Sequence, residues 1–455
     1  MKNKLSKFIG TKDFYRATIA IAIPIMLQSF VTSFVNLIDN VMIGSVGAVA
    51  LTAVTVANKY YMVFNAALLG LTGGGSIFIS QFYGANAKKK CQEVFNIILG
   101  ISLLVGLIFM GIIWIFPESI IHIFSNTPEI VTSALGYVKY IRYSYIPFAI
   151  SMTVMMSLRA VGINTVQLKV GILAVLTNTF LNYLLIYGTW GCPELGVEGA
   201  AIATLVARLV EATIYVVILL RKKYFFRLDF LGIFKINWTL FKSMMIKATP
   251  LTVNEILFSV GQTIVFTSYM RVSEHLVAAI SVADTVVNIA FIIFSGLSSA
   301  VAILIGNRLG AGEIQEAKEN ATKLIVFGVG IGVVISVILF IVAAFIPMAF
   351  HFDGEINKTI TEILRIRSFM LPIYVVNVCS FFTLRAGGDT LSTLIMDSGM
   401  LWGLMVVVSV LLSTFTSLPL TTVYFIVESC EAIKMFVAVF FVKKGRWARN
   451  LTVHP

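Results

Sequence analysis

The 455-residue chain is 58% hydrophobic and only 12% charged, with a mean hydropathy of +0.94, so it has too little polar surface to cover a water-soluble globule. Its formal charge of +12 raises the question of nucleic acid, but the cations sit in separate segments flanking apolar runs, which fits contact with an anionic lipid leaflet better.

A helix needs about 20 apolar residues to cross roughly 30 Å of hydrocarbon. In chain order, twelve segments qualify: 14–41, 48–81, 93–116, 131–158, 168–188, 197–220, 242–270, 276–306, 322–347, 359–384, 391–414 and 418–442. The fold expected is therefore all-α and integral to the membrane. The first apolar stretch is too long for a signal-peptide core and lacks a small-residue cleavage site, so it is expected to remain as the first span.

Lys and Arg mark the cytoplasmic loops. Lys2, Lys4, Lys7 and Lys12 precede span 1, Lys88, Lys89 and Lys90 follow span 2, and Arg221, Lys222, Lys223, Arg227 and Lys235 follow span 6. Lys443, Lys444, Arg446 and Arg449 lie in the tail, whereas the six opposite loops hold only Arg271 and Lys358. Both termini are expected in the cytoplasm. Cys91, Cys192, Cys379 and Cys430 are scattered, with no CxxC, so neither a disulfide nor a metal centre is expected. His122, His275 and His351 fall near exterior loops and read as solvated side chains.

The chain repeats itself. Pro24 and Pro250, Gly84 and Gly310, and Arg159 and Arg385 are each separated by 226 residues, and LRAVGINT (158–165) answers LRAGGDT (384–390). Lys139 matches Arg365, Asn58 matches Asp284, and Gln28 matches Asn254. Beyond span 5 the offset falls to 220, pairing Arg208 with Glu428 and Glu211 with Glu431. Six spans per copy is an even number, so both copies enter from the same side and a pseudo-two-fold axis along the membrane normal is expected. The corresponding division is an amino-terminal arm, 1–13, a six-helix bundle, 14–223, a linker, 224–240, a second bundle, 241–443, and a tail, 444–455. Repeats in a polytopic protein point to a secondary transporter.

IPIMLQSFVTSFVNLIDNVMIG from Ile23, QFYGANAKK and NRLGAGEIQEAK after spans 2 and 8, the paired LRA motifs and GVEGAAIAT in span 6 occur in order at the repeat spacing. With these the chain resembles the multidrug and toxic compound extrusion (MATE) family over essentially its whole length. That resemblance implies two six-helix bundles and export of amphipathic, often cationic, compounds across the plasma membrane in exchange for inward sodium or protons. It implies no cofactor beyond the coupling ion, and a monomer is expected, with cargo and lipids as its only partners.

Ionisable groups inside spans are functional candidates because each costs on the order of 3 kcal/mol. Asp39 lies fifteen residues beyond Pro24, roughly 22 Å along the helix and in the outer half of the bilayer, and Pro24 can bend the helix that carries it. The resemblance maps Asn178 and Thr204 onto companions of Asp39. Asn178 and Asn182 are also i,i+4 on one face; Asn182 stands where many relatives have a second carboxylate. Transient sodium at Asp39 and Asn178 is one expectation, interhelical hydrogen bonding by the amides the other.

Glu255, which matches a glutamate of other branches of the family, and Asp284 are both placed near mid-depth. As neighbours the two could not both ionise cheaply, which would make them a proton carrier; a structural cation neutralising Asp284 is the alternative. Arg208 and Glu211, and Glu428, Glu431 and Lys434, have the i,i+3 spacing of internal ion pairs, with Glu211 and Glu431 as accessory cavity candidates. Arg159, Arg385 and Asp389 read as ties between loops at helix ends. LTGGGSIF lacks the ending of a phosphate loop and reads as close helix packing or a flexible point. The runner-up function is a flippase for lipid-linked saccharides, which would favour extra helices and a cationic cavity. A membrane enzyme finds neither a metal cluster nor a nucleophile elbow to support it.

Overall fold

The computed structural model describes residues 8–221, 226–229, 232–233, 235–349 and 354–453. Lys2, Lys4, Lys7, Lys222, Lys223 and His351, invoked above, lie outside the described residues. Among those described, twelve helical runs match the twelve apolar segments. They are α1 (Lys12–Val46), α2 (Ala48–Gly84), α3 (Lys88–Ile115), α4 (Pro128–Ile141, continued through a 3-10 turn at Arg142–Ser144 into Tyr145–Ala160), α5 (Thr165–Tyr187) and α6 (Gly196–Leu220). The second copy follows as α7 (Trp238–Val272), α8 (Val277–Gly310), α9 (Ile314–Val342), α10 (Gly354–Ala386), α11 (Thr390–Phe415) and α12 (Leu420–Lys444).

The helix ends explain why the repeat motifs read as they do. After α2, Ala87 N–H donates to Phe82 C=O at 2.8 Å across Asn86, whose φ is +58°; after α8, Glu313 N–H donates to Arg308 C=O at 3.0 Å across Gly312, φ +83°. The LRA motifs end α4 and α10 the same way, with Gly162 (φ +80°) and Gly388 (φ +75°) in the left-handed region and six-residue bonds from Ile163 to Leu158 and from Asp389 to Leu384. Such a turn satisfies the last carbonyls of a helix and demands a residue that tolerates positive φ.

Contacts divide the chain into two units, residues 27–252 and residues up to Met26 together with those from Val253 onward. The division falls within α1 and α7, just after Pro24 and Pro250, each of which lacks the N–H that would continue the helical ladder. In the first unit the core gathers Phe64, Ala134, Tyr145, Ala149 and Ala201 from α2, α4 and α6. The beginning of α7 belongs here. Gly74 of α2 has no room for a side chain, since a Cβ would sit 2.5 Å from that of Ala248. In the second unit α10 is the central post, packed by α8, α9 and α12 around Phe294, Leu324, Leu371 and Tyr424. The beginning of α1 packs here, with Ala22 C=O 2.7 Å from where a Cβ on Gly296 would lie, and Tyr15 against Phe327 at 4.8 Å. Gly70, facing Thr252, and Gly296, facing Met26, are 226 residues apart, so each copy makes the same small-residue contact.

The outward surfaces are apolar. Val333, Val334, Val337, Ile338 and Ile341 run along one exposed side of α9, the pattern of a helix solvated by lipid. Within the linker, Arg227 N–H donates to Gln92 Oε1 at 2.9 Å, Gln92 returns a bond to Arg227 C=O, and Phe226 packs on Phe95, holding this stretch against α3. Beyond α12, Trp447 is buried against Gly387 and Asn450 donates to Gly310 C=O at 3.3 Å.

Candidate functional site

In the first unit, Asp39 of α1 meets α5. Asn182 Nδ2 donates to Asp39 Oδ1 at 2.8 Å. The Asn178 amide satisfies its neighbours with its nitrogen 2.8 Å from Asp39 Oδ2 and its oxygen accepting from Thr204 Oγ1 of α6 at 3.3 Å. The i,i+4 spacing on α5 places both amides on the carboxylate side. Asn178 and Asn182 are buried, and Asn182 Oδ1 has no hydrogen-bond partner among the described residues. No cation of this unit pairs with Asp39 among the described residues. A carboxylate, two amides and a hydroxyl thus converge from three helices, an oxygen-rich set suited to a hard monovalent cation or a proton.

One helical turn or more deeper on α6, Arg208 Nη1 is 3.1 Å from Glu211 Oε2, with Arg208 Nη2 3.3 Å from the Tyr61 hydroxyl and its guanidinium 4.6 Å from the Phe148 ring centroid. The i,i+3 pair expected from spacing is present and is closed by an aromatic wall.

The second unit is organised differently. Glu255 and Asp284 are not each other's partners. Glu255 Oε1 lies 3.9 Å from Arg385 Nη1, and Asp284 Oδ1 3.0 Å from Arg367 Nη2. Both arginines belong to α10, eighteen residues apart and so separated by roughly 27 Å along the helix axis; the proposed shared-proton pair is thereby ruled out. Arg385 is buried, so it does more than tie loops, while Asp389 caps α11 through Ser392 N–H at 3.4 Å and Arg159 donates to Gln167 at 3.2 Å.

Arg367 gathers a cluster. Its Nη1 is 3.4 Å from Glu428 Oε2 and 3.0 Å from the Tyr374 hydroxyl, its Nε donates to Tyr424, and Tyr374 donates to Glu428. A second cluster forms where Lys434 Nζ lies 2.6 Å from Asp397 Oδ1 and 3.6 Å from Glu431 Oε1. Asn254, the repeat partner of Gln28, donates to Asp397 Oδ2 at 3.0 Å and accepts from Ser398, and Asn377 donates to Glu431 Oε2 at 2.7 Å. Sequence reasoning missed Arg367 and Asp397. The signal was available, since each is a charge in the interior of an apolar span. It also left unseen that α11 winds as a π-helix over Ile395–Gly399 and Leu401–Val406.

Comparison with known proteins bears on what this arrangement belongs to. The MatE family profile matches residues 24–184 and 250–411, one match in each copy of the repeat. Among relatives, the "Probable multidrug resistance protein NorM" of Thermotoga maritima is 22% identical over 95% of this chain and 93% of its own length. The "Probable multidrug resistance protein YoeA" of Bacillus subtilis is 23% identical over 90% and 89%. Among solved structures, an outward-facing multidrug resistance MATE family transporter of the MOP superfamily superposes with a TM-score of 0.84 at 18% identity, covering 94% of this chain and 95% of that one. A MATE structure in a bent conformation gives 0.87 at 18%, covering 95% of each chain. With both halves of the repeat matched and the twelve-helix fold shared, the chain belongs to the MatE family of membrane transporters.

Proposed function

We propose that this protein exports amphipathic, cationic compounds across the plasma membrane by alternating access, in exchange for inward protons or sodium. The observation that carries the reading is Asp39, a carboxylate held by Asn178 and Asn182 with no cationic partner of its own among the described residues. An uncompensated charge inside a membrane protein is costly, and a mobile cation is what would compensate it. Thr204 and the spare Asn182 Oδ1 supply further oxygen for that cation. Glu255 and Asp284 each have a resident arginine, which makes them weaker candidates for carrying the ion. Pro24 gives α1 a place to bend, and the repeats are taken as residues 14–223 and 241–443. Relatives named as multidrug resistance proteins support an efflux role. The protein would work as a monomer with both termini inside.

The test is transport of a fluorescent organic cation in inside-out vesicles with pH and sodium gradients imposed separately. Asp39→Asn keeps shape but removes charge, and should abolish gradient-driven accumulation under whichever ion drives the wild type. Wild-type rates in the Asp39→Asn variant would remove Asp39 from the coupling role.

A further inference from the structure

The Lys434 cluster is built like a receptor for an organic ammonium ion. Around Lys434 Nζ stand Asp397 at 2.6 Å, Glu431 at 3.6 Å and the Phe258 ring, its centroid 5.9 Å away. Two carboxylates and an aromatic face are what alkylammonium groups bind. Both carboxylates are positioned without the lysine, Asp397 by Asn254 at 3.0 Å and Glu431 by Asn377 at 2.7 Å. The π-helical winding of α11 lets the consecutive residues Asp397 and Ser398 both engage Asn254.

Several features argue against a permanent strut. Counted formally, two carboxylates against one ammonium leave one negative charge in excess, and Asn377, a residue 4% exposed whose Nδ2 donates to Glu431, has an Oδ1 with no hydrogen-bond partner among the described residues. Lys434 is also a flexible-stemmed point charge whose hold can be exchanged, unlike the forked grip of an arginine. Lys434 and Glu431 are buried, and Asp397, with 15% of its side chain exposed, is the member of the cluster a ligand would reach first.

We propose that Asp397 and Glu431 bind the ammonium group of cationic cargo, and that Lys434 is a tethered competitor which occupies their site when cargo is absent. This rests on the reading that the cargo is cationic. Cargo arrival would displace Lys434 toward the unsatisfied Asn377 carbonyl, and cargo departure would let it return, so the site is never an empty pair of buried acids.

The experiment is equilibrium dialysis of radiolabelled benzyltrimethylammonium with the purified full-length protein. Lys434→Met removes the competitor while keeping the bulk of the stem, and should tighten binding by about tenfold. Unchanged or weaker binding by a monodisperse Lys434→Met protein would overturn the proposal, because a strut when removed gives no gain in affinity. Glu431→Gln, which leaves the Lys434–Asp397 contact in place, decides the matter if Lys434→Met does not assemble: binding about tenfold weaker supports the site, and unchanged binding sinks it. Export of the same probe by wild-type vesicles separates the two readings. Tightened binding without any export would retire the efflux reading and leave this site standing; export with binding indifferent to both variants would do the reverse.

Discussion

Arg367 faces two carboxylates, Asp284 and Glu428, and two phenols, Tyr374 and Tyr424, from three other elements or turns of the same unit. Removing it leaves the buried Glu428 without its cation, and deleting one member of a buried ion pair costs about 3–5 kcal/mol. Arg367→Met should therefore lower the thermal midpoint of the detergent-purified protein sharply, and adding Glu428→Gln in the same chain should recover part of the loss. An additive double variant would mean that the two side chains are not energetically coupled. The residues around Asp39 were legible because the family resemblance maps Asn178 and Thr204 onto its companions and because Asn178 and Asn182 share a helix face. Partnerships between helices were not legible. Chain spacing reports neighbours on one helix, whereas the choice of Arg385 by Glu255 and of Arg367 by Asp284 depends on how α7 and α8 rotate against α10. Lys434 illustrates both cases, since its i,i+3 contact with Glu431 was foreseeable and its shorter contact with Asp397 was not.

Helices and turns were the most readable level, because apolar length fixes a span and the positive-φ positions at Gly162 and Gly388 fix its end. All twelve spans came through with shifted ends, up to eight residues at the start of α9, where polar residues at the amino end extend the helix beyond its apolar stretch. The three consecutive glycines of α2 were read as a packing surface, and the fit of Gly74 against Ala248 is such a surface. Gly74→Val should overpack this contact at a cost of about 1–3 kcal/mol, seen as a lower thermal midpoint. Ala248→Gly should restore only a small part of it in the double variant, because the Cα of residue 248 itself lies 2.6 Å from the added Cβ; full restoration would mean that the methyl alone closes the contact. The π segment of α11 had no sequence signal, since its winding answers the hydrogen bonds of Asn254 with Asp397 and Ser398 rather than any local propensity.

At the scale of the whole molecule the charge asymmetry of the loops makes a direct prediction. In a chain lacking Cys192, single cysteines at the exposed positions Asn126 and Ser417 should react with an impermeant maleimide added outside intact cells, and one at the exposed Lys89 should react only after permeabilisation. The opposite pattern would reverse the orientation and the direction of transport. The repeat was legible as twelve spans in two copies. What the sequence did not reveal is that contacts regroup the chain within α1 and α7, because such regrouping depends on pairs like Gly70 with Thr252 and Gly296 with Met26 that lie far apart in the chain.

The charge of Asp39, without a cationic partner among the described residues, also has an electrical meaning. Moving one elementary charge through the full membrane potential is worth about 2.3 kcal/mol per 100 mV. In the proposed cycle, the site would be neutral on the limb that carries the coupling ion inward, and the potential would do no work on it. On the export limb the carboxylate would be bare, and the total would depend on the cargo: a monovalent cation would restore neutrality, whereas an uncharged compound would leave one negative charge facing the field. One-for-one exchange of a cationic drug would then be voltage-silent, and export of a neutral drug would bring net positive charge inward and run faster in a cell whose interior is negative. The same carboxylate would make the membrane potential a selector among cargoes, without any contact to the cargo itself.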